Sequence, residues 1–102
     1  MRNLQHPDIA EVPVSTVLHA LSDPIRLRII KVVAERGEQC CGACGIDMPK
    51  PTLSHHFKVL REAGVIRVRL EGTQRCISLR RDDLDSRCPG LLDSVLHASA
   101  PY

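Results

Sequence analysis

A chain of 102 residues, 43% hydrophobic and 25% charged, has the length and composition of one compact domain and leaves no room for a second. A domain of this size buries about two thirds of the surface its unfolded chain exposes, so a partner subunit would add usefully to its core. No apolar stretch in residues 1–13 has the length of a signal peptide or a membrane span, which excludes a membrane role on this reading and makes the cytoplasm the expected location.

Val14, Val17, Leu18 and Leu21 recur at the spacing of one helical stripe, so residues 13–21 are expected to form a first short helix. Asp23 is a good N-cap and Pro24 suits the first helical position. Ile25, Ile29, Val32 and Val33 then carry an apolar face on to a stop at Gly37. Residues 38–49 hold Cys40, Cys41 and Cys44 among glycines and can form a short helix at most. Pro51 is expected at the start of the next helix, in which Leu53, Phe57 and Leu60 form the apolar stripe and Gly64 the terminator. After Gly64 the period changes to two. Ile66, Val68 and Leu70, then Ile77 and Leu79, predict a hairpin turning near Gly72. Asp82, Asp83 and Asp85 read as a solvated connection, and residues 89–98, with Leu91, Leu92, Val95 and Leu96, as a last helix. The fold class expected is mainly α with a small β-hairpin.

The net charge of +2 is unevenly spread. Between Lys50 and Arg81 eight basic side chains face only Glu62 and Glu71, a local excess of +6 that leaves −4 for the remainder. Such segregation suits a polyanion partner and is not needed for folding. In the helix beginning at Pro51, Ser54, Lys58 and Arg61 fall opposite Leu53, with His55 nearby, and Lys50 and Thr52 stand at its start. A helix fits the DNA major groove, about 12 Å wide, where hydroxyl, imidazole, ammonium and guanidinium groups meet phosphates and base edges. A solvated charged face is the alternative for any single helix. The adjoining hairpin, with Arg67, Arg69 and Arg75 at its non-core positions, favours the nucleic-acid reading. Phe57 and Tyr102 are the only Phe and Tyr, so platforms for stacking unpaired bases are lacking and duplex DNA is the expected form. His56, at the edge of the apolar stripe, is expected to be a satisfied, partly buried histidine.

Three segments together resemble the ArsR family of bacterial winged-helix repressors: residues 20–30 (ALSDPIRLRII), residues 52–66 (TLSHHFKVLREAGVI) and residues 70–73 (LEGT). The resemblance implies a winged helix-turn-helix and a homodimer joined through the first and last helices, by way of Val14, Val17, Leu18, Leu21, Leu91, Leu92, Val95 and Leu96. It also implies approach of Thr52, Ser54 and His55 to double-stranded operator DNA, with Arg69 and Arg75 on or near the wing, and repression relieved by an inducer. On this reading residues 1–13 are an N-terminal extension, 14–99 the DNA-binding and dimerisation domain, and 100–102 a tail.

Five cysteines without an export signal, odd in number, point to reduced thiols, a metal site or a redox site rather than a disulfide framework. Cys40, Cys41 and Cys44 lie within five residues and could converge on a soft metal or metalloid inducer, or Cys41 and Cys44 could form a reversible disulfide, or one or two could simply pack. Cys76 and Cys88 are isolated in sequence and read as structural. No cofactor is expected to be required. Asp93 and His97 lie four apart, but a solvated or interface role is the default for both. The alternative function is a thiol-disulfide oxidoreductase using Cys41 and Cys44. Pro49 and Pro51 remove the helix that would activate its thiol, so no enzyme is expected. A module that meets an acidic protein through the basic segment is a third reading.

Overall fold

Asp23 and Pro24 start the helix around which the molecule is built. In the computed structural model, which describes residues 4–40, 46 and 48–98, the Asp23 carboxylate accepts from the backbone N–H groups of Ile25 and Arg26 at 2.8 and 3.2 Å. Burial pushes this carboxyl up, but the two amides together with the nearby Arg26 charge hold its pKa below the ordinary value. A cap of this kind contributes about 1 kcal/mol. The helix, α2, spans Pro24–Arg36 and ends at Gly37.

Around α2 stand α1 (Val14–Ala20), α3 (Lys50–Glu62), the strands β1 (Ile66–Glu71) and β2 (Gln74–Leu79), then α4 (Arg81–Arg87) and α5 (Leu91–Leu96). The strands pair antiparallel, from Ile66 opposite Leu79 to Glu71 opposite Gln74. Their connection is the two residues Gly72 and Thr73, and the φ of 60° at Gly72 is the kind that such tight hairpins require. Ile29, Ile30 and Val33 of α2, Leu53, Phe57 and Leu60 of α3, and Ile66, Val68 and Ile77 of the hairpin close over one core. The arrangement of α2, α3 and the hairpin is a winged helix-turn-helix.

Four sequence expectations change. The aspartate-rich connection is a helix, α4, with Leu84 buried and Asp82 and Asp83 in its first turn. Aspartate disfavours a helix interior but suits the positive N-terminal end, and Leu84 supplies the burial. Lys50, not Pro51, is the first residue of α3, and Pro51 is the second. Val17, Leu21 and Leu92, expected between subunits, are buried within the protomer, at 0, 8 and 2% exposure. An apolar stripe records that a face is covered, not by which chain. Val14 and Leu18 are the exposed members of that set, while Leu91, Val95 and Leu96 are half-buried.

The fourth change concerns the N-terminal extension, whose residues 4–12 form a strap across the domain. Ile9 and Val12 join the core. Arg61 Nη1 donates to the Gln5 carbonyl at 2.7 Å, the Val68 N–H donates to His6 Nε2 at 2.9 Å, and Arg80 Nη1 donates to the Pro7 carbonyl at 2.9 Å. Gly64, with φ 79°, lets the strap approach. A Cβ there would come within 2.6 Å of Ile9 Cδ1.

Candidate nucleic-acid interface

The helix α3 is held by its buried face. Leu53, His56, Phe57 and Leu60 are all at most 8% exposed, which turns Lys50, Thr52, His55 and Lys58 to solvent and leaves Ser54 and Arg61 half-buried. The side chains of Lys50, Thr52 and Lys58 make no hydrogen bond or ion pair among the described residues. His55 meets only the His56 ring, with centroids 6.0 Å apart. Between α3, the strap and the hairpin lies a cleft of about 230 Å³ lined by Leu4, Ser54, Phe57, Lys58, Arg61, Val68 and Arg75. Arg75 crosses it, and its Nη1 donates to Ser54 Oγ at 3.0 Å.

The three hairpin arginines do not share a face. In the strand register Arg75 stands opposite Leu70, on the side of Val68 and Ile77 that turns to α3. Arg67 and Arg69 lie on the other side, opposite Ser78 and Cys76. There Arg67 pairs with Asp83 at 3.9 Å. Arg69 gives Nε and Nη2 to the two oxygens of Glu38, at 3.0 and 2.9 Å, and Nη1 to Glu71. The hydrogen bonds from Arg69 hold the Glu38 carboxyl below its ordinary pKa, and those to Glu38 and Glu71 push the Arg69 guanidinium up. Arg61 is likewise engaged, through the Gln5 carbonyl. Charge counted along the chain therefore overstates the positive potential that a ligand would meet.

Arg26 was not singled out from the sequence, yet it fixes the attitude of α3. It is 6% exposed. Its Nε and Nη2 donate to the carbonyls of Ala20 and His19 at 2.7 and 3.1 Å, satisfying the C-terminal turn of α1. Nη1 lies 3.3 Å from His56 Nδ1. A guanidinium has no acceptor, so this ring nitrogen presents its lone pair. One side chain thus ties the end of α1 to the helix that faces solvent with its basic groups. A signal was available in the sequence. Arg26 stands three, four and seven residues before Ile29, Ile30 and Val33 and so falls on their buried face. His56 itself is the satisfied core histidine that its position suggested.

The strap has its own titratable contact. Burial first, then the charges of Arg80, Arg61 and Arg67, lower the pKa of His6. Its Nε2 must stay unprotonated to accept from Val68.

Of the cysteine cluster, Cys41 and Cys44 lie outside the described residues. Cys40 does not stand alone. Gln39 and Ile77 exchange both backbone hydrogen bonds, at 2.9 and 2.8 Å, so the segment leading out of α2 runs beside β2. The next pair in that register is Cys40 and Cys76, joined as a disulfide with Cα atoms 3.9 Å apart. Cys76, isolated in sequence, thus has a partner in space. Thirty-six positions separate the two, so no sequence spacing announced the pair. Cys88 is a free, half-buried thiol. A Glu38 oxygen lies within 4.8 Å of both sulfurs. While those sulfurs are bonded to each other they offer no thiolate, so the trio fits a soft ion only in its reduced form. On α5, Asp93 accepts from Arg81 at 2.9 Å, and His97 Nδ1 lies 2.9 Å from the Asp93 carbonyl.

Comparison with known proteins gives a consistent picture. Residues 23–68 match the family model described as "Bacterial regulatory protein, arsR family". The chain is 38% identical over 82 residues to the uncharacterized HTH-type transcriptional regulator YceK of Bacillus subtilis, covering 78% of this chain and 82% of that one. It is 37% identical over 75 residues to an arsenical resistance operon repressor of Staphylococcus xylosus, covering 70% and 69%. A crystal structure of an ArsR family transcriptional regulator superposes with a TM-score of 0.61 at 24% identity, over 80% of this chain and 81% of that one, a likeness of fold.

Proposed function

Because the chain belongs to the ArsR family of bacterial regulatory proteins, DNA-binding transcriptional regulators, we propose that it is a dimeric repressor that reads a duplex operator with α3 and is released by an inducer acting on its thiols. The observation that carries the reading is the face of α3 on which Lys50, Thr52, His55 and Lys58 stand exposed, their side chains without a hydrogen bond or ion pair among the described residues, flanked by Arg75 of the hairpin. Lys50 and Lys58 neutralise phosphates, while Thr52 and His55 are hydrogen-bonding groups near the start of a helix, where base edges are reached. Ser54 and Arg61 border the same cleft and reach DNA by exchanging their present partners, Arg75 and the Gln5 carbonyl. No helix among the described residues is long and apolar enough to cross a membrane. The repressor acts in the cytoplasm and needs no cofactor to bind DNA.

The dimer forms through Val14 and Leu18, 40 and 49% exposed on α1, together with Leu91, Val95 and Leu96 of α5. Leu18→Glu should shift the sedimenting species to a monomer and weaken operator binding; an unchanged dimer would remove this face from the interface. A relative named for arsenical resistance makes a thiophilic metalloid or metal, beside an oxidant, the class of inducer to titrate. The oxidoreductase alternative gains no support from relatives that are transcriptional regulators.

The test is fluorescence anisotropy of the reduced protein on its own promoter and on random duplex across a salt series. We expect preference for the promoter, a steep loss of affinity with salt from counterion release, and protected half-sites about 34 Å or a multiple apart. Equal affinity for both duplexes at moderate salt would overturn the proposal.

A further inference from the structure

We infer that Cys40 and Cys76 form a thiol pair oxidised by hydroperoxides, and that their disulfide lowers operator affinity by locking Glu38 onto the wing residue Arg69. The inference rests on the function proposed above and names the thiols that regulate it.

Three strands' worth of register bring the parts together. Cys40, Cys76 and Arg69 occupy one row across the segment leaving α2, then β2, then β1. Glu38 precedes Cys40 by two residues and so shares its face. Its Oε1 lies 3.8 Å from the Cys40 sulfur, and both of its oxygens accept from Arg69. The bond closes a span of 36 residues that contains all of α3 and β1. It thereby ties the entry to the DNA-facing helix to the hairpin beyond it. Without the bond, the described residues of this segment are held to the hairpin by the two backbone hydrogen bonds between Gln39 and Ile77 and by an exposed ion pair. Phosphate competes readily with an exposed carboxylate for a guanidinium. With the bond, Glu38 is kept at Arg69, and one positive charge of the wing stays cancelled.

The chemistry runs in two steps. Cys40 is half-buried and Cys76 is 0% exposed, so the oxidant meets Cys40. The Cys40 thiolate attacks the hydroperoxide, the O–O bond breaks, and the departing alkoxide or hydroxide takes a proton, leaving Cys40 as a sulfenic acid. The Cys76 thiolate then attacks the Cys40 sulfur. The S–S bond forms as the S–O bond breaks, and hydroxide leaves and is protonated to water. Two electrons pass from the thiols to the peroxide, and a dithiol reductant reverses the change. Disulfides in a reducing compartment are characteristically transient and regulatory.

The full chain, reduced and freed of reductant, is treated with hydrogen peroxide, mapped for cross-linked peptides and titrated on promoter DNA across salt. We expect a Cys40–Cys76 cross-link, weaker binding, and a slope of log K against log salt smaller by about 1, the signature of one withdrawn phosphate contact. Cys40→Ser and Cys76→Ser should bind like the reduced wild type with or without peroxide, whereas a Cys41→Ser, Cys44→Ser double variant should respond normally. Because Cys76 is fully buried, Cys40→Ser is the decisive variant should Cys76→Ser fail to fold. Glu38→Gln should still cross-link yet bind like the reduced protein when oxidised. Absence of the cross-link, identical binding in both states, or a response lost with Cys41 and Cys44 would overturn the inference. Reduced protein with no promoter preference would instead sink the proposed function and the regulatory part with it, while a cross-link in the same sample would uphold the thiol pair alone.

Discussion

The helix α3 and the β1–β2 hairpin carry comparable numbers of basic side chains but treat them differently, since on α3 Arg61 alone is held, by the Gln5 carbonyl. On α3, Lys50 and Lys58 project from a helix whose other face is fully buried, and nothing in the described residues competes for them. On the hairpin each arginine already has a partner: Asp83 for Arg67, Glu38 and Glu71 for Arg69, Ser54 for Arg75. A charge that is already paired reaches a phosphate only by giving up its partner. The proposed reading helix thus has its lysines ready for a ligand, whereas the hairpin arginines are governed by whatever controls their partners.

The sharpest way to break this contrast is to remove what holds α3 in place. Phe57, 3% exposed, packs α3 into the core. Phe57→Ala should cost about 3–5 kcal/mol in urea unfolding, as large-to-small changes in a packed core do. Arg26→Met should cost less, about 2–3 kcal/mol, by leaving the buried acceptors at Ala20 and His56 unpaired. Arg26→Lys should not restore the loss, because an ammonium cannot reproduce the planar fork of donors; recovery to wild-type stability would show that charge alone matters there.

Single exposed cations should separate the two regions. Lys58→Ala is expected to lower the salt slope of operator binding by about 1 and to leave stability within about 0.5 kcal/mol. Arg69→Ala should do the same only in the reduced protein, since in the oxidised protein that charge is already withheld. Equal effects of Arg69→Ala in both redox states would erase the distinction drawn between helix and hairpin.

The smallest expected effect is one of pH, at the strap. The folded-state pKa of His6 is lowered, so between it and the unfolded value the unfolded chain binds more protons. The contribution of His6 is therefore complete above the unfolded pKa of about 6.5 and is lost as pH falls from there through the folded value. His6→Gln can still accept from the Val68 N–H. The wild type should lose more stability than this variant between neutral and mildly acid pH, and parallel curves would exclude His6 as the cause.

Much of the fold was legible because its signals are local. Asp23-Pro24 marks a helix start by capping chemistry. The stripe of Leu53, Phe57 and Leu60 marks a buried face by spacing, and Gly72 between alternating runs marks a hairpin. The exposed face of α3 follows from the same spacing, so Lys58 and His55 were legible as well. Less legible was α4, since aspartates suit both a turn and a first helical turn, and only the burial of Leu84 decides between them.

By itself the sequence determined the elements other than α4, the family and the face of α3, since capping, periodicity and turn chemistry act within a few residues of each other. The tertiary structure alone decided which basic groups are already paired, that Arg75 turns to α3 while Arg67 and Arg69 turn away, that Arg26 joins α1 to His56, and that Cys40 finds Cys76 rather than a neighbour in the chain. Each of these joins residues far apart in sequence, and a side chain's partner is set by the packing that brings distant segments together.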